Sequence, residues 1–268
     1  MQVGGCVIVV TGGGNGIGAA LCRRFADEGA KSVIVADRDG PAAARVASEI
    51  GGTSAHIDVS NEKAMFDLVA GVENTYGQID LFCSNAGIGE AGGIELPAAT
   101  WQQSWEVNVM AHVYAARAAL PNMLARGRGY LLQTVSAAGL LTNLGAGPYS
   151  VTKHAALGLA EWLSVTYGAQ GITVSCLCPQ FVDTDLLSSL APEEKTRAWA
   201  QSGMLRPDDI AKAVVAGLAA ETFLILPHGE VIEYFRRKAK NYDGWLTGMR
   251  RLQDSVLPII PDPAARDL

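Results

Sequence analysis

Basic charge, signal-peptide features and long apolar runs are all scarce in this sequence, and each shortage excludes a class of protein. Its 268 residues carry 21 lysines and arginines against 27 aspartates and glutamates, a formal net charge of -6 at pH 7. Nucleic acid binding needs a basic face, so the composition argues against a nucleic acid partner. No apolar run reaches the roughly eighteen residues of a membrane span, and the first residues lack a basic segment followed by a cleavage site. We therefore expect a cytoplasmic protein without integral membrane association.

Paired cysteines and clustered histidines are missing as well, which argues against disulfide and metal sites. The five cysteines show no CxxC spacing and mostly fall within apolar runs, so we interpret them as reduced core residues. Cys176 and Cys178 project to one side if they lie on a strand, but two thiolates without neighbouring histidines make an incomplete zinc site. No metal is therefore expected. The four histidines match no catalytic spacing and are interpreted as structural: His56, His112, His154 and His228.

What the sequence does contain is a regular alternation of short apolar runs and helical stretches, within a composition that is 49% hydrophobic. Short apolar runs bounded by Gly, Asn or Asp are typical of strands buried on both faces. The predicted strands are 7–10, 33–36, 53–57, 79–83, 130–135, 172–178 and 223–226, and the predicted helices are 17–28, 41–50, 61–75, 100–126, 147–169 and 207–220. This alternation predicts an α/β fold: a doubly wound, seven-stranded parallel sheet in a single domain.

Two regions do not fit the alternation. Residues 1–227 are expected to form the sheet domain, which includes a variable substrate loop over 185–206. Residues 228–268 are a C-terminal extension, expected to be helical and to pack on the same domain or on a partner subunit. A membrane surface is the alternative partner, because basic residues flank its apolar stripe. That stripe predicts one amphipathic helix before a Pro-rich tail from Pro258: Phe235, Ala239, Tyr242, Leu246, Met249 and Leu252, with Arg236, Arg237, Lys238 and Lys240 largely on other faces.

A glycine-rich turn follows the first predicted strand. The segment TGGGNGIG, residues 11–18, leads straight into a helical stretch. Glycines permit positive φ angles and close backbone approach, and a helix N-terminus presents amide hydrogens to a pyrophosphate. The spacing differs from the strict GxGxxG fingerprint, so a plain tight turn is the alternative. We assign Gly12, Asn15, Gly16 and Ile17 to a dinucleotide site.

An acidic residue ends the second predicted strand, where a cofactor ribose would lie. A carboxylate at Asp37 accepts hydrogen bonds from both ribose hydroxyls of NAD and repels the 2′-phosphate of NADP, whereas the neighbouring Arg38 is the one feature that favours NADP. The expected cofactor is therefore NAD. Asp58 and Val59 close the third strand at the same edge of the sheet. They either face the adenine or, in the case of Asp58, cap the following helix.

Ser136, Tyr149 and Lys153 form the candidate reacting group. Tyr149 and Lys153 are four residues apart, a spacing that places both side chains on one face of a helix. An ammonium beside the phenol stabilises the phenolate, so we expect Lys153 to lower the pKa of Tyr149 from its ordinary value of about 10. Taken alone, such a pair is more often a solvated helical face.

In their joint order and spacing, these motifs resemble the short-chain dehydrogenase/reductase family. The resemblance covers about residues 5–226 and rests on the glycine turn, Asn85-Ala86-Gly87, Asn108, Ser136, Tyr149, Lys153 and Pro179. It implies a Rossmann-like fold and a catalytic tetrad. Tyr149 exchanges a proton with the substrate, Ser136 hydrogen-bonds the substrate oxygen, and Lys153 holds the nicotinamide ribose. Asn108 anchors a water that leads to Lys153. The resemblance also implies that the following residues contact or support the cofactor: Asn85, Gly87, Tyr149, Lys153, Pro179, Val182 and Thr184.

The function that this resemblance implies is NAD-dependent oxidation or reduction at a CH–OH group, with Tyr149 as the acid/base. Candidate substrate contacts are mostly apolar, which favours a hydrophobic secondary alcohol or its ketone: Ala138, Leu140, Leu141, Asn143, Leu186, Leu187, Leu190, Trp199 and Met204. Gln180, where the family usually has glycine, is a further candidate contact.

Two alternative functions stay open, and both use the same fold. One is an acyl-carrier ketoreductase, which Asp37 and the long extension disfavour. The other is a non-catalytic NAD-binding sensor or scaffold, because a fold alone does not guarantee chemistry. The helical stretch 147–168 is apolar on most sides, which predicts a homo-oligomer, either a dimer or a tetramer.

Overall fold

Seven parallel strands form the central sheet. The computed structural model describes residues 1–191, 194–201 and 203–257, and the sheet lies within these ranges. All seven predicted strands are present, with ends that shift by one or two residues. They are β1 (Val7–Thr11), β2 (Ser32–Asp37), β3 (Thr53–His56), β4 (Leu81–Ser84), β5 (Gly129–Thr134), β6 (Ile172–Leu177) and β7 (Leu224–Ile225).

The order of the strands leaves a crevice at the centre of the sheet. They lie in the order β3-β2-β1-β4-β5-β6-β7, and each neighbouring pair is parallel. The chain runs outward from β1 to β3, crosses back, and continues outward from β4 to β7. Where the direction reverses, between β1 and β4, the loops at the carboxyl ends diverge and make room for a ligand. The predicted doubly wound fold is confirmed.

The strands are apolar at successive positions because both faces of the sheet are covered. In β1, Val7 and Val9 pack on one side, Ile8 and Val10 pack on the other, and all four are buried. Side chains alternate across a strand, so a strand covered on both faces needs an apolar residue at every position. Each such burial contributes about 1.5–3 kcal/mol. This explains the continuous apolar runs in the sequence.

Helices cover both faces of the sheet. Capping groups set several of their starts, because Asp39 and Asn61 accept hydrogen bonds from the first-turn amides of α2 and α3. Pro207 opens α10, at a position where no amide hydrogen is needed. The helices are α1 (Gly16–Asp27), α2 (Gly40–Ile50), α3 (Glu62–Tyr76), α4 (Ala98–Trp105), α5 (Ala111–Ala125), α6 (Ala137–Leu140), α7 (Gly147–Tyr167), α8 (Asp185–Leu190), α9 (Glu194–Gln201), α10 (Pro207–Ala220), α11 (Glu230–Lys240) and α12 (Tyr242–Val256).

The helix predicted over 100–126 is interrupted. A π-helical turn, Glu106–Met110, separates α4 from α5 and carries Asn108. Such a turn contains one extra residue, shifts the main-chain hydrogen bonds by one position, and is frequent at functional sites. Periodicity does not reveal it, because apolar residues continue on both sides of it.

The C-terminal extension forms two helices instead of the single helix predicted. Asn241 ends α11 and caps α12, where its side chain accepts a hydrogen bond from the amide of Gly244. A residue that can cap a helix competes with the helical main chain, which explains the break. The predicted Pro-rich tail from Pro258 lies outside the described residues.

The buried face of these two helices also differs from the predicted stripe. Tyr242 and Leu246 are exposed, while Val231 is fully buried. Lys238, expected on an outer face, is buried one turn beyond the half-buried Phe235. Spacing alone misplaces this lysine, because its burial depends on partners far away in the sequence.

The cysteines are free thiols, and four of the five are buried, as predicted. In the described ranges, no helix is both long enough and apolar enough to cross a membrane.

Candidate active site

A cleft of about 840 Å³ opens at the carboxyl ends of the strands, over the crevice between β1 and β4. Ser136, Tyr149 and Lys153 lie in its wall, and Asn108 is buried beneath it. The residues that the sequence assigns to the cofactor all line this one cleft: Gly12, Asn15, Gly16, Ile17, Asp37, Asp58, Val59, Asn85, Gly87, Tyr149, Lys153, Pro179, Val182 and Thr184. The fold therefore brings together side chains that are widely separated in the sequence.

The glycine turn is packed too closely to admit side chains. Gly12 has a positive φ of 63°, and a Cβ atom there would lie 2.9 Å from the Cα of Ala86. A Cβ on Gly18 would lie 1.9 Å from the carbonyl oxygen of Gly12. Both positions require glycine. The turn brings the N-terminus of α1, which has no acidic residue in its first turn, into the cleft. The free amides there suit an anion such as a pyrophosphate.

The carboxylate of Asp37 is held beside the glycine turn. Its Oδ2 accepts a hydrogen bond from the Gly14 amide at 2.9 Å, and its Oδ1 accepts one from the Asp39 amide at 2.9 Å. Arg45, which the sequence analysis did not single out, donates to the Gly14 carbonyl at 3.1 Å. A cation therefore lies against the same turn. Nothing in the sequence distinguishes Arg45 from the other exposed arginines.

Asp58 is not a helix cap, so that alternative is wrong. Asn61 caps α3 instead. The Oδ1 of Asp58 accepts hydrogen bonds from the amide of Ser60 at 2.9 Å and from its hydroxyl at 2.7 Å. These bonds hold Asp58 at the margin of the cleft, next to Val59.

Asn85 ties three strands together at the floor of the cleft. Its Nδ2 donates to the Thr11 carbonyl at 3.0 Å, and its Oδ1 accepts from the Thr134 hydroxyl at 3.1 Å. The main-chain amide of Asn85 donates to the Thr11 hydroxyl at 3.0 Å. The carboxyl ends of β1, β4 and β5 are thereby linked, which is more than a turn residue requires.

Ser136, Tyr149 and Lys153 converge at the base of the cleft. The Ser136 hydroxyl donates to the Pro179 carbonyl at 3.5 Å. The Nζ of Lys153 lies 5.5 Å from the centroid of the Tyr149 ring and donates to the Thr134 carbonyl at 3.1 Å. All three side chains are buried, so the interpretation of the Tyr–Lys pair as a solvated helical face is wrong.

Burial controls the charge states in this group. It raises the pKa of Tyr149 to about 12, against the opposing effect of a hydrogen bond from Ser136. It also lowers the pKa of Lys153 to about 8. The pKa of Tyr149 therefore moves upward, opposite to the direction expected from the sequence. The cost of desolvating the phenolate outweighs the attraction of an ammonium 5.5 Å from the ring centroid.

Asn108 fixes the loop that follows β4. Its Nδ2 donates to the Ile88 carbonyl at 2.9 Å and to the Thr152 hydroxyl at 3.1 Å, and its Oδ1 accepts from the Ile88 amide at 2.9 Å. A Cβ on Gly87 would lie 3.3 Å from that Oδ1 and 3.4 Å from the Nζ of Lys153. The side chain of Asn108 is thus fully engaged with protein groups beside Lys153.

The segment after β6 closes the cleft from above. Thr184 lies against the glycine turn, because a Cβ on Gly16 would be 3.1 Å from its Cγ2. Leu186 and Leu190, on α8, pack against the cluster that contains Tyr149. The loop therefore covers both the cofactor side and the reacting side of the cleft.

The predicted substrate contacts are divided between the cleft and the rest of the molecule. Leu186, Leu187 and Leu190 line the cleft, but the other residues proposed do not: Ala138, Leu140, Leu141, Asn143, Trp199 and Met204. Trp199 instead packs edge-on against Phe181, with ring centroids 4.8 Å apart. Gln180 does line the cleft, and so do polar residues that the sequence analysis missed: Gln102, Gln103 and Glu106. Their place in the wall depends on where α4 and the following turn pack, which no local pattern encodes.

The histidines have different environments. His112 is buried, its Nδ1 is hydrogen-bonded to the Oε1 of Gln133, and burial lowers its pKa to about 4. His154 is exposed, with its Nδ1 2.9 Å from the Ser150 carbonyl. His228 is buried, and its ring contacts the main chain at both ends of the segment after β6. In the described part of the chain, no group of three or more His, Cys, Asp or Glu side chains could hold a metal ion.

The fold and the cleft together define a class of protein. A doubly wound sheet with a glycine turn at its switch point, and with buried Ser, Tyr and Lys side chains at the base of the cleft, is the architecture of a Rossmann-fold oxidoreductase. The family described as short chain dehydrogenase matches residues 6–195, and the chain belongs to this family.

Relatives in the family are similar over most of their length. The chain is 34% identical over 231 residues to the 1-deoxy-11-beta-hydroxypentalenate dehydrogenase of Streptomyces exfoliatus, covering 83% of this chain and 82% of the relative. It is 32% identical over 222 residues to the meso-2,3-butanediol dehydrogenase of Serratia marcescens, covering 80% and 87%.

Two solved structures share the fold. A short chain dehydrogenase/reductase from Burkholderia phymatum, in complex with NAD, has a TM-score of 0.81 and 27% identity, covering 97% of this chain and 99% of that one. A 7 alpha-hydroxysteroid dehydrogenase, complexed with NADH and 7-oxo glycochenodeoxycholic acid, has a TM-score of 0.77 and 27% identity, covering 84% and 93%.

Proposed function

We propose that this protein interconverts a hydrophobic secondary alcohol and its ketone with NAD, using Tyr149 as the acid/base. The observation that carries the proposal is the burial of Ser136, Tyr149 and Lys153 together at the base of the cleft. Burying three polar side chains costs free energy, which a fold seldom accepts without a functional gain, and perturbed pKa values that cluster in a cleft are typical of a catalytic site.

In the oxidation direction, the Oη of Tyr149 takes the proton from the substrate hydroxyl, while the Ser136 hydroxyl hydrogen-bonds the same oxygen. In the reduction direction, the same phenol returns the proton. Because burial raises the pKa of Tyr149 to about 12, the phenol form predominates at neutral pH, and this form suits proton donation to a ketone. Lys153 stays beside the phenol and provides the positive charge that a phenolate needs.

The residues of the cleft fit NAD. The glycine turn and the N-terminus of α1 would hold its pyrophosphate, Asp37 its adenosine ribose, Asp58 and Val59 its adenine side, and Lys153 its nicotinamide ribose. Val182 and Thr184 would hold the carboxamide. Bound in this way, NAD would supply the hydride acceptor for the carbinol carbon in oxidation, and NADH would supply the hydride donor in reduction. The solved relatives in complex with NAD and NADH support this choice.

The leucines of α8 support a hydrophobic substrate. Leu186, Leu187 and Leu190 form an apolar wall next to Tyr149, which favours a hydrocarbon skeleton over a charged one. The named relatives act on a hydroxypentalenate, a butanediol and a hydroxysteroid, and these names all belong to hydroxyl-bearing compounds. Gln102, Gln103 and Glu106 add hydrogen-bonding groups at another part of the cleft wall.

We further propose that the protein is a homo-oligomer. On α7, Trp162 is 56% exposed and Val165 is 85% exposed, so an apolar patch lies open along this helix. Such patches are typical of a contact with another protein surface.

The test is a screen of alcohols and ketones with NAD and NADH, followed at the nicotinamide absorbance, with the parent and Tyr149→Phe compared on the best substrate. We expect Tyr149→Phe to lose at least about a thousandfold in kcat while its NAD affinity stays within about twofold, because only the proton-transfer hydroxyl is removed. Tyr76→Phe is the matched control, because the hydroxyl of Tyr76 contacts Thr53 on the edge strand β3. Activity in Tyr149→Phe within tenfold of the parent refutes the acid/base assignment.

The same screen, extended to NADPH and to ketones linked to an acyl carrier, separates the alternative functions. NAD binding without turnover of any alcohol or ketone indicates a sensor or scaffold. Turnover of acyl-carrier ketones with NADPH, in preference to free ketones with NADH, indicates an acyl-carrier ketoreductase.

A further inference from the structure

We propose that His228 is a positioning residue that links the turn of Ser136 to the neck of the loop over the active site. The neck is defined as residues 180–183 and 203–205, where the segment that carries Val182, Thr184 and α8 leaves the sheet and returns to it. This proposal rests on the function proposed above, because it assigns Ser136 and the loop to the reaction.

The imidazole of His228 makes a full set of hydrogen bonds, all to the main chain of the neck. The Gln180 amide donates to Nδ1 at 3.1 Å. The Nε2 lies 3.1 Å from the Phe181 carbonyl and 3.0 Å from the Gly203 carbonyl. An accepting Nδ1 requires a neutral ring with the proton on Nε2, so Nε2 donates to both carbonyls. One ring therefore joins the outgoing side of the neck to the returning side, whose Gly203 lies 25 residues before His228 in the sequence.

Between the described residues of the neck, main-chain hydrogen bonds join the two sides at two points. Leu205 donates to the Phe181 carbonyl at 3.0 Å, and Asp183 donates to the Leu205 carbonyl at 3.0 Å. His228 adds a third link across the neck and is 4% exposed, so its bonds are shielded from water. Shielding strengthens a hydrogen bond and makes its loss costly.

The peptide group that donates to His228 also contacts Ser136, the proposed catalytic serine. The peptide group between Pro179 and Gln180 donates its N–H to His228, and its carbonyl accepts from the Ala137 amide at 2.7 Å and from the Ser136 hydroxyl at 3.5 Å. One peptide plane is thus held at both ends, by His228 and by the turn that begins at Ser136. Since a peptide plane is rigid, fixing its N–H also fixes its carbonyl.

The two nitrogens of the imidazole therefore have separate roles. The Nδ1 orients the peptide that meets Ser136, which bears on the chemical step. The Nε2 closes the loop neck, which bears on substrate binding through Leu186, Leu187 and Leu190. No substitution of the loop itself is needed to test this, because amides can replace one nitrogen at a time.

The experiment compares the parent with His228→Asn, His228→Gln and His228→Ala. The Oδ1 of Asn lies near the place of Nδ1 and keeps the acceptor, whereas the Nε2 of Gln lies near the place of the imidazole Nε2 and keeps the donor. We expect His228→Asn to raise the substrate KM about tenfold and to keep kcat within about twofold of the parent. The loss of one shielded hydrogen bond corresponds to a change of about tenfold in an equilibrium constant. We expect His228→Gln to lower kcat about tenfold with KM nearly unchanged.

Hydrogen exchange gives a readout that does not depend on activity. Peptides that cover 181–191 and 203–206 should exchange about tenfold faster in His228→Ala and His228→Asn than in the parent, but not in His228→Gln. A peptide from β1 should be unchanged in every variant. The matched control is His56→Asn, because His56 is an exposed histidine outside the neck, and it should match the parent in KM, kcat and exchange.

Two results overturn the proposal: equal effects of Asn and Gln on KM and kcat, or loop exchange in His228→Ala within twofold of the parent. If the parent turns over no alcohol or ketone, the proposed function fails, and the exchange data still decide whether His228 holds the neck. If His228→Ala does not fold, the Asn and Gln pair decides the question.

Discussion

The ammonium of Lys238 on α11 donates a hydrogen bond to the main-chain carbonyl of Leu140 at 2.9 Å, across 98 residues of sequence. It also donates to Leu141 at 2.8 Å and lies 4.9 Å from the ring centroid of Trp245. Leu140 and Leu141 end the short helix that begins after Ser136. One buried lysine therefore fastens the C-terminal helices to the segment next to the active site, and we propose that residues 228–257 fold as part of the same unit as the sheet.

Replacing Lys238 with Met should loosen this attachment. Met keeps an apolar stem of similar length but leaves the carbonyls of Leu140 and Leu141 without their donor, and we expect a loss of about 1–3 kcal/mol in the free energy of unfolding. Denaturant unfolding measures this loss. Lys240→Met is the matched control, because Lys240 is exposed on the same helix and should change stability by less than about 0.5 kcal/mol. Equal stabilities for the two variants would argue against the attachment.

Removing the carboxylate of Asp37 should change the cofactor preference. We expect the parent to prefer NAD, and Asp37→Ala to shift the ratio of kcat/KM for NADP over NAD upward by about a hundredfold, because the repulsion of a 2′-phosphate disappears. Arg38 and Arg45 remain on that side of the cleft to meet the phosphate.

Asp39→Ala serves as the control for Asp37→Ala. Asp39 is a neighbouring carboxylate that caps α2 and does not line the cleft, so its loss should cost about 1 kcal/mol of stability without altering the ratio. A parent enzyme that uses both cofactors equally well contradicts the role of Asp37.

The pH dependence should differ between the two reaction directions. Burial raises the pKa of Tyr149 to about 12, so the phenolate that oxidation needs is scarce at neutral pH. Its fraction increases about tenfold per pH unit below the pKa, so kcat/KM for alcohol oxidation should rise with pH up to about pH 8, where Lys153 begins to lose the proton that supports the phenolate. Ketone reduction needs the phenol, which predominates throughout, so its rate should stay flat from pH 6 to about 8. An oxidation rate that falls between pH 6 and about pH 8 would rule out Tyr149 as the base.

Lys153 should lower the stability of the folded protein at neutral pH. Burial lowers its pKa from 10.5 to about 8, so between these values the unfolded chain binds a proton that the folded chain does not. Stability therefore increases with pH across this window, and the full cost of burying the charge applies below about pH 8. At pH 7, we expect the free energy of unfolding of Lys153→Met to be about 1–3 kcal/mol higher than that of the parent. This gain in stability should disappear by about pH 10.5.

Denaturant unfolding at the two pH values, without NAD, provides the comparison for Lys153. Lys63→Met is the control, since Lys63 is an exposed lysine on α3 and its substitution should have little effect at either pH. A Lys153→Met variant that is less stable than the parent at pH 7 would show that hydrogen bonding to Thr134 outweighs the burial of the charge.

The sequence by itself determined the order of strands and helices, the glycine turn, Asp37, and the identity of the group at Ser136, Tyr149 and Lys153. The strands, the turn and the spacing of Tyr149 and Lys153 are encoded locally, whereas Ser136 is identified through the order of several motifs along the chain. A strand buried on both faces needs a continuous apolar run, a close turn needs glycine, and two side chains four residues apart share a helical face. Such requirements are met within a few residues, so they can be recognised without the fold.

Only the tertiary structure decided the direction of the pKa shift at Tyr149, the polar part of the cleft wall at Gln102 and Glu106, and the environments of His228 and Lys238. Each depends on neighbours that are distant in the sequence. Burial of Tyr149 is set by how α8 packs over it, and the partners of His228 and Lys238 lie 48 and 98 residues away. A lysine that follows an amphipathic pattern looks solvated until its acceptors are known, because burial and long-range hydrogen bonds are properties of the packed molecule and not of a segment.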